Sequence, residues 1–352
     1  MATTSYGVNH PLAVKLWAKK LFAEALKQTF YSELMGTGSD SVIQIRSETS
    51  KSEGDKVTIG LRMQLSGDGV QGDGTLEGNE ESLTTFNDAV TIDQLRHAVR
   101  SAGKMSEQRV PFSVRNEARL GLQDWWANRL DNWFFNQVSG NTGVVDTRYT
   151  GNQATIAPTD TTNWLRATNR ANEGALISTD LFNTLSYVDA AVERAKTNSP
   201  MIRPAMIRGQ KLYVMFMHPF QVTDLKAATS TGQWMDLQKA LVIGGFKSDK
   251  ESPIFTGGSM VGIYNGVLLL ESTRVPSVTA STRRAVLCGA QAAAFAYGQN
   301  QNAAEEMSWV EELFDYENQL GVSAGMISGM KKLQFNSKDF STVVVSTWAV
   351  AH

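Results

Sequence analysis

Residues 113–140 read SVRNEARLGLQDWWANRLDNWFFNQVSG and carry the strongest local signal in the chain. Leu122, Trp126, Leu130, Trp133, Phe134 and Val138 recur at helical spacing, with Trp125 adding bulk. Ser113, just after Pro111, suits a helix N-cap, and Gly140 stands where a helix C-terminus favours glycine. The pattern predicts a helix over 113–139, about 40 Å long at 1.5 Å per residue. Its aromatic stripe reads as core rather than a cofactor box.

Upstream, residues 55–65 alternate apolar and polar from Val57 onward, as a half-buried strand does. Leu83, Phe86, Val90, Ile92 and Leu95 fit a returning strand over 83–96. Gly67, Gly69, Gly72, Gly74 and Gly78 lie between them, so the pair reads as a long hairpin with a glycine-rich tip. A lone two-stranded hairpin is marginal in water, so this one is expected to need a neighbouring surface. Residues 11–34 read as an amphipathic helix detached from the next element, an arm that docks on a partner.

Downstream, residues 140–175 read as irregular and 179–198 as a helix. Lys211–Met217 reads as a buried strand, with a helix starting at His218-Pro219 and running to Lys226. Strands are expected at Val261–Leu270, Ala285–Cys288 and Ser341–Val350. Helices and strands mix without a βαβ period, which argues for an α+β fold.

The 352 residues are near neutral, with 33 Lys and Arg against 35 Asp and Glu, which excludes a strongly basic nucleic-acid binder at whole-chain level. The neutrality is a sum of opposites. Residues 57–95 hold seven acids (Asp68, Asp73, Glu77, Glu80, Glu81, Asp88, Asp93) and one base, Arg62. Residues 285–330 hold six acids and no base, so the rest of the chain has 22 acids against 32 bases. The single cysteine, Cys288, excludes an intrachain disulfide framework and multi-cysteine metal sites. No run approaches a membrane span.

Motifs that suggest chemistry lack their setting. Gly67-Asp68-Gly69-Val70-Gln71-Gly72 matches G-x-G-x-x-G, but the following residues make a poor helix start and Asp68 and Asp73 would repel a pyrophosphate. Gly321-Val322-Ser323-Ala324-Gly325 matches G-x-S-x-G, but the one histidine downstream is His352, expected to be mobile, and the glycines read as a turn. His10, His97, His218 and His352 are not at metal-ligand spacing, and a calcium loop from Asp73 would have threonines at its third and twelfth positions. No catalytic residue, metal or cofactor is expected. An enzyme using His218 or Ser323 stands as the alternative from another class.

Several stretches carry a resemblance. One runs from Phe86 to Ser101 and through Pro111-Phe112-Ser113-Val114-Arg115-Asn116 to Trp125-Trp126; another is Tyr213-Val214-Met215-Phe216-Met217-His218-Pro219 with Asp224-Leu225. A third joins Pro253-Ile254-Phe255-Thr256-Gly257 to Gly262-Ile263-Tyr264-Asn265-Gly266-Val267. The last runs from Leu287-Cys288-Gly289-Ala290-Gln291-Ala292, through Phe314-Asp315-Tyr316, to Gly329-Met330-Lys331-Lys332. In these stretches and in element order, the chain resembles tailed-bacteriophage major capsid proteins of the Hong Kong 97-type fold, in the branch of podovirus-type coat proteins.

The resemblance implies an N-arm (1–45), an E-loop over a neighbouring subunit (46–104), a peripheral domain (105–175 and 326–352) with its spine helix at 113–139, and an axial domain (176–325). It implies hexamers and pentamers forming an icosahedral head around double-stranded DNA, in the virion, assembled in host cytoplasm. Partners would be further copies, a scaffolding protein, a portal and decoration proteins, with no membrane. The acidic tip, Asp68, Asp73, Glu77, Glu80 and Glu81, would meet a basic surface on the adjacent subunit. Lys15, Lys19, Lys20 and Lys27 on the arm, with Arg115, Arg119 and Arg129 on the spine helix, would contact phosphates without sequence preference. Residues 57–95 lack lysine, so no loop lysine crosslink is expected. An encapsulin-like shell holding cargo is the alternative within the fold.

Overall fold

The computed structural model describes residues 31–46, 55–62, 65, 67–110, 113–160, 162–207, 209–228, 260–279, 281–298 and 307–352. Residues 11–30 of the helix expected over 11–34, His10 and the Pro253–Gly257 stretch lie outside the described residues, and the last residues of that span form a single 3-10 turn, Ser32–Leu34.

Among the described residues the first strands are β1 (Met35–Gly36) and β2 (Ile43–Arg46), followed by β3 (Lys56–Arg62), β4 (Thr85–Thr91) and β5 (Asp93–Arg100). A short helix α1 (Lys104–Gln108) precedes the long helix α2 (Val114–Ser139). Next come β6 (Trp164–Arg166), α3 (Ser186–Thr197), β7 (Ala205–Ile207), β8 (Gln210–Met217) and α4 (Pro219–Ala227). The regular elements described after α4 are strands: β9 (Met260–Tyr264), β10 (Val267–Glu271), β11 (Thr282–Cys288), β12 (Ala293–Tyr297), β13 (Met307–Phe314) and β14 (Gln319–Lys332). After β15 (Gln334–Phe335) and β16 (Lys338–Asp339) the chain ends in β17 (Thr342–Trp348).

A seven-stranded sheet runs β6-β17-β11-β8-β10-β9, with β7 also on β8. Its central strands are apolar on both faces because both are covered. Val214, Phe216, Leu268, Leu270, Val286, Cys288 and Val344 face α2. Their neighbours in sequence, Tyr213, Met215, Leu269, Leu287, Val343 and Val345, face α3 and α4. That is why these strands read as continuous apolar runs. A six-stranded sheet, β1-β2-β12-β14-β13 with β5 on β14, encloses α2 from the other side.

Helix α2 matches its expected span, and all six stripe residues are buried. Ser113 occupies the N-cap position without a side-chain cap bond. Gly140 is left-handed (φ 62°, ψ 45°), and a Cβ there would come within 2.6 Å of the Ile156 carbonyl. Glycine is therefore required twice over.

Four expectations change. The helix expected from 179 starts at Ser186, because Asp180 is committed to a turn: its carboxylate accepts from the Ile177 N–H (3.0 Å), Thr168 and Arg170. The single strand over Val261–Leu270 is the hairpin β9–β10, turned by Asn265 (φ 46°) and Gly266 (φ 73°) in the left-handed pair favoured in tight hairpins. Residues 321–325 are not a turn but part of β14. Its glycines let neighbours lie close: a Cβ on Gly321 would meet the Phe314 ring at 2.6 Å, and one on Gly325 would meet Arg96 Cγ at 2.8 Å. The root of the arm is not detached: Tyr31 and Leu34 are buried in the core, where Tyr31 packs 4.7 Å from Phe134, and β2 pairs with β12.

Candidate assembly surfaces

The hairpin forms as β3 paired antiparallel to β4, with Arg62 opposite Thr85. Its root lies on the chain's own surface. Val57, Ile59 and Val90 are buried against Ala294, Ala296, Leu333 and Phe335. Asp88 ion-pairs with Lys331 and accepts from the Gln334 N–H (3.0 Å). The returning strand breaks at Ile92, so β4 stays in the hairpin and β5 crosses to β14. Where they change over, Gly329 passes so close that a Cβ would sit 1.9 Å from the Thr91 carbonyl oxygen.

Beyond Thr85 the loop is exposed, including Leu65, Leu76 and Leu83. Asp68, Asp73, Glu77, Glu80 and Glu81 are all exposed within this one loop. Two of them also shape it: Glu81 accepts from the Gly67 N–H (2.6 Å) and Glu80 from the Gly78 N–H (2.7 Å). The G-x-G-x-x-G stretch belongs to this loop and no helix succeeds it. An exposed loop with large apolar side chains is a surface that another chain can cover.

The basic candidates on α2 are partly engaged. Arg115 pairs with Glu311 at 2.8 Å, and Glu311, whose side chain is 2% exposed, also accepts from Trp309 Nε1 (2.9 Å). Arg129 donates to the Arg148 carbonyl (3.1 Å) and lies over the Tyr149 and Trp125 rings. Arg119 is half-buried with a partner of its own. Lys15, Lys19, Lys20 and Lys27 lie outside the described residues.

The chemical candidates turn out to be structural. His218 caps α4: its Nδ1 accepts from the Phe220 N–H (3.2 Å), while Gln221 Oε1 accepts from the His218 N–H (3.1 Å). Burial and then Arg283 pull its pKa down to about 4, so the ring is a neutral acceptor. Ser323 sits mid-strand in β14, away from any strand–turn–helix elbow. His352 is held rather than mobile, with Nε2 3.1 Å from the buried Asp224 carboxylate. Burial pushes the Cys288 thiol up, out of the reactive range. Among the described residues no cluster of His, Cys, Asp and Glu could hold a metal, and no helix is long and apolar enough to cross a membrane.

Sequence reading missed two buried ionic hubs. Arg284 donates to Glu173 and to the last carbonyls of α2, Ser139 and Gly140. Lys332 pairs with Asp339 at 2.9 Å, both side chains being at most 1% exposed. The available signal was a charge inside an apolar strand, as in Thr282-Arg283-Arg284-Ala285-Val286-Leu287.

The family described as phage capsid protein matches residues 4–351. The chain belongs to that family. It is 28% identical over 366 residues to the major capsid protein of Pseudomonas phage KPP25, covering 94% of this chain and 93% of that one. The capsid protein of Ralstonia phage GP4 superposes with a TM-score of 0.79 at 28% identity, over 99% of both chains. The cyanophage Pam1 capsid protein gives 0.72 at 20% identity over the full length of both, a likeness of fold. The fold is therefore the α+β Hong Kong 97-type capsid fold. This phage capsid protein is a major capsid protein, a shell-forming structural component of the virion and not an enzyme. Its assembly is homo-oligomeric.

Proposed function

We propose that copies of this chain assemble in the host cytoplasm as hexamers and pentamers into an icosahedral head enclosing double-stranded DNA. The observation that carries this is the exposed loop with large apolar side chains, set on a hairpin anchored in its own chain, within a capsid family match spanning residues 4–351. Such a loop gains by lying on a neighbour, and area buried at many repeated interfaces holds a shell together. In this reading 1–45 is the N-arm, 46–104 the E-loop, 105–175 with 326–352 the peripheral domain, and 176–325 the axial domain. A scaffolding protein, a portal and decoration proteins are the expected partners. Purified protein should give shells of uniform diameter in negative stain, and a monodisperse monomer under all assembly conditions would overturn the reading.

The acidic tip is assigned to a basic surface of the adjacent subunit. Asp68→Lys, Asp73→Lys and Glu77→Lys together reverse the tip charge while sparing the Glu80 and Glu81 turn bonds. Shell yield should fall, most at low salt; unchanged yield at low salt would refute the contact. Phosphate contacts are assigned to Lys15, Lys19, Lys20, Lys27, Arg119 and Arg129, with Arg115 reduced because Glu311 already takes its charge.

A further inference from the structure

Strands β5 and β13 both pair antiparallel with β14, so they run in the same direction. Each has eight residues. Among the described residues each lacks a strand partner on its other edge. An unpaired edge is a row of backbone donors and acceptors open to another chain.

The two edges differ in charge. β5 exposes Arg96, His97 and Arg100, and α1 adds exposed Lys104 just beyond. β13 exposes Glu312, and the turn after it adds exposed Asp315 and Glu317. Both edges also expose an apolar side chain, Val99 on β5 and Val310 (51% exposed) on β13. Side chains pointing away from α2 form rows across the sheet: Glu312–Gly321–Arg100, Val310–Ser323–Ala98 and Ser308–Gly325–Arg96. The centre of this face is made of small residues, over which Arg96 and the Phe314 ring lie, with the Arg100 guanidinium 4.3 Å from the centre of that ring.

We propose that β13 of one copy pairs in parallel with β5 of a second copy, extending the six-stranded sheet across the subunit boundary. The rows then continue in register, placing Glu312 beside Arg100 of the partner subunit and Val310 beside Ala98 of the partner subunit. The contact is heterologous, acidic edge to basic edge, and such contacts close into rings when the rotation permits. The inference rests on the shell reading and adds which edges meet.

The test uses Ala98→Cys with Val310→Cys in one chain. The native Cys288 is buried and does not compete. Wild-type shells are confirmed first; their absence would overturn the shell reading and this pairing with it. Double-variant shells treated with a mild oxidant should give a ladder of dimer, trimer and higher disulfide-linked bands on a non-reducing denaturing gel, because each copy links to two neighbours, whereas the two positions within one chain are two strand spacings (~10 Å) apart, too far for a disulfide. Neither single variant should give a dimer. Intact shells yielding only monomer bands would overturn the pairing and leave the shell reading standing. A dimer from Val310→Cys alone would overturn it in favour of edge pairing between two β13 strands. As a second measurement, Glu312→Arg and Arg100→Glu should each lower low-salt shell yield about threefold, and their combination should restore it. A combination no better than the worse single variant would also overturn the pairing.

Discussion

Replacing Arg284 with methionine should destabilise the subunit by about 3–5 kcal/mol, the usual consequence of removing one partner of a buried ion pair. The guanidinium is 3% exposed. Its Nε and Nη2 donate to Glu173 at 3.1 and 2.7 Å, and its Nη1 donates to the Ser139 and Gly140 carbonyls at 3.0 and 2.7 Å. It also lies 4.7 Å from the centre of the Trp164 ring. One side chain thus ties β11, the segment around Glu173 and the negative end of α2 together. Methionine keeps most of the stem but strands the Glu173 carboxylate and leaves two carbonyls without their donor, at about 1 kcal/mol or more each if they stay dry. These losses share one cavity and do not simply add. At about 2 °C per kcal/mol for a chain of this size, the melting midpoint should fall by about 6–10 °C. Urea unfolding of unassembled subunits, followed by tryptophan fluorescence, measures the loss directly. Adding Glu173→Gln to Arg284→Met should recover about 1–2 kcal/mol, since the stranded charge is gone. A loss below about 1 kcal/mol for Arg284→Met, or a double variant worse than the single, would refute the argument.

Two further substitutions separate backbone crowding and titration from ordinary packing. Gly329→Ala places a Cβ against the Thr91 backbone, which cannot swing aside, so soluble yield and shell formation should collapse; Gly60→Ala, with nothing within 4 Å of its Cβ, is the control that should behave like wild type. If Gly329→Ala assembles normally, β14 and the Thr91–Ile92 segment do not cross in close contact. His218 has its folded pKa lowered to about 4 from 6.5, so the unfolded chain binds the proton first and stability falls as pH drops from about 6.5 to 4. His218→Asn keeps a cap acceptor for the Phe220 N–H but cannot titrate, so its unfolding midpoint should depend less on pH across that window. An unchanged slope would show that another group controls it.

Long α2 was legible because its stripe, proline and glycine all point the same way. Buried β8 and β17 were legible because two covered faces leave no polar alternation to confuse with loop. Strands β12, β13 and β14 escaped reading for physical reasons. β12 is alanine-rich, and β14 carries glycine at 321, 325 and 329. Small residues have low strand propensity, and their placement answers close approach by Phe314, Arg96 and Thr91, which no local pattern reveals. The Asn265-Gly266 turn was a missed local signal, since asparagine followed by glycine is a standard hairpin turn. Among candidate site residues, the grouping of the five loop acids was legible because clustering in sequence keeps them together in one loop. The partners of the basic residues were not legible, because only folding brings Glu311 onto Arg115.

The charge asymmetry of the sequence changes meaning once partners are assigned. Each acidic block loses one member to the interior: Asp88 goes to Lys331 and Glu311 to Arg115. Those acids fix the hairpin root and the sheet–helix contact, so they cannot also recruit a neighbour. Five of the exposed acids sit on the loop tip and two at the end of the β13–β14 hairpin, where Asp315, Tyr316 and Glu317 take successive left-handed conformations (φ 50°, 49° and 66°) and Tyr316 stands fully exposed. Holding three non-glycine residues there costs free energy, about 1 kcal/mol or more each. The Asn318 side chain bonds Asp315 and accepts from the Lys104 N–H (3.3 Å), pinning the turn to the start of α1. A surface held this rigidly loses little entropy when a partner covers it. The exposed tip and the pinned hairpin end therefore suit different roles in the proposed contacts: the tip offers apolar side chains and charge to a neighbour, while the hairpin end and the edges beside it can set the angle between copies.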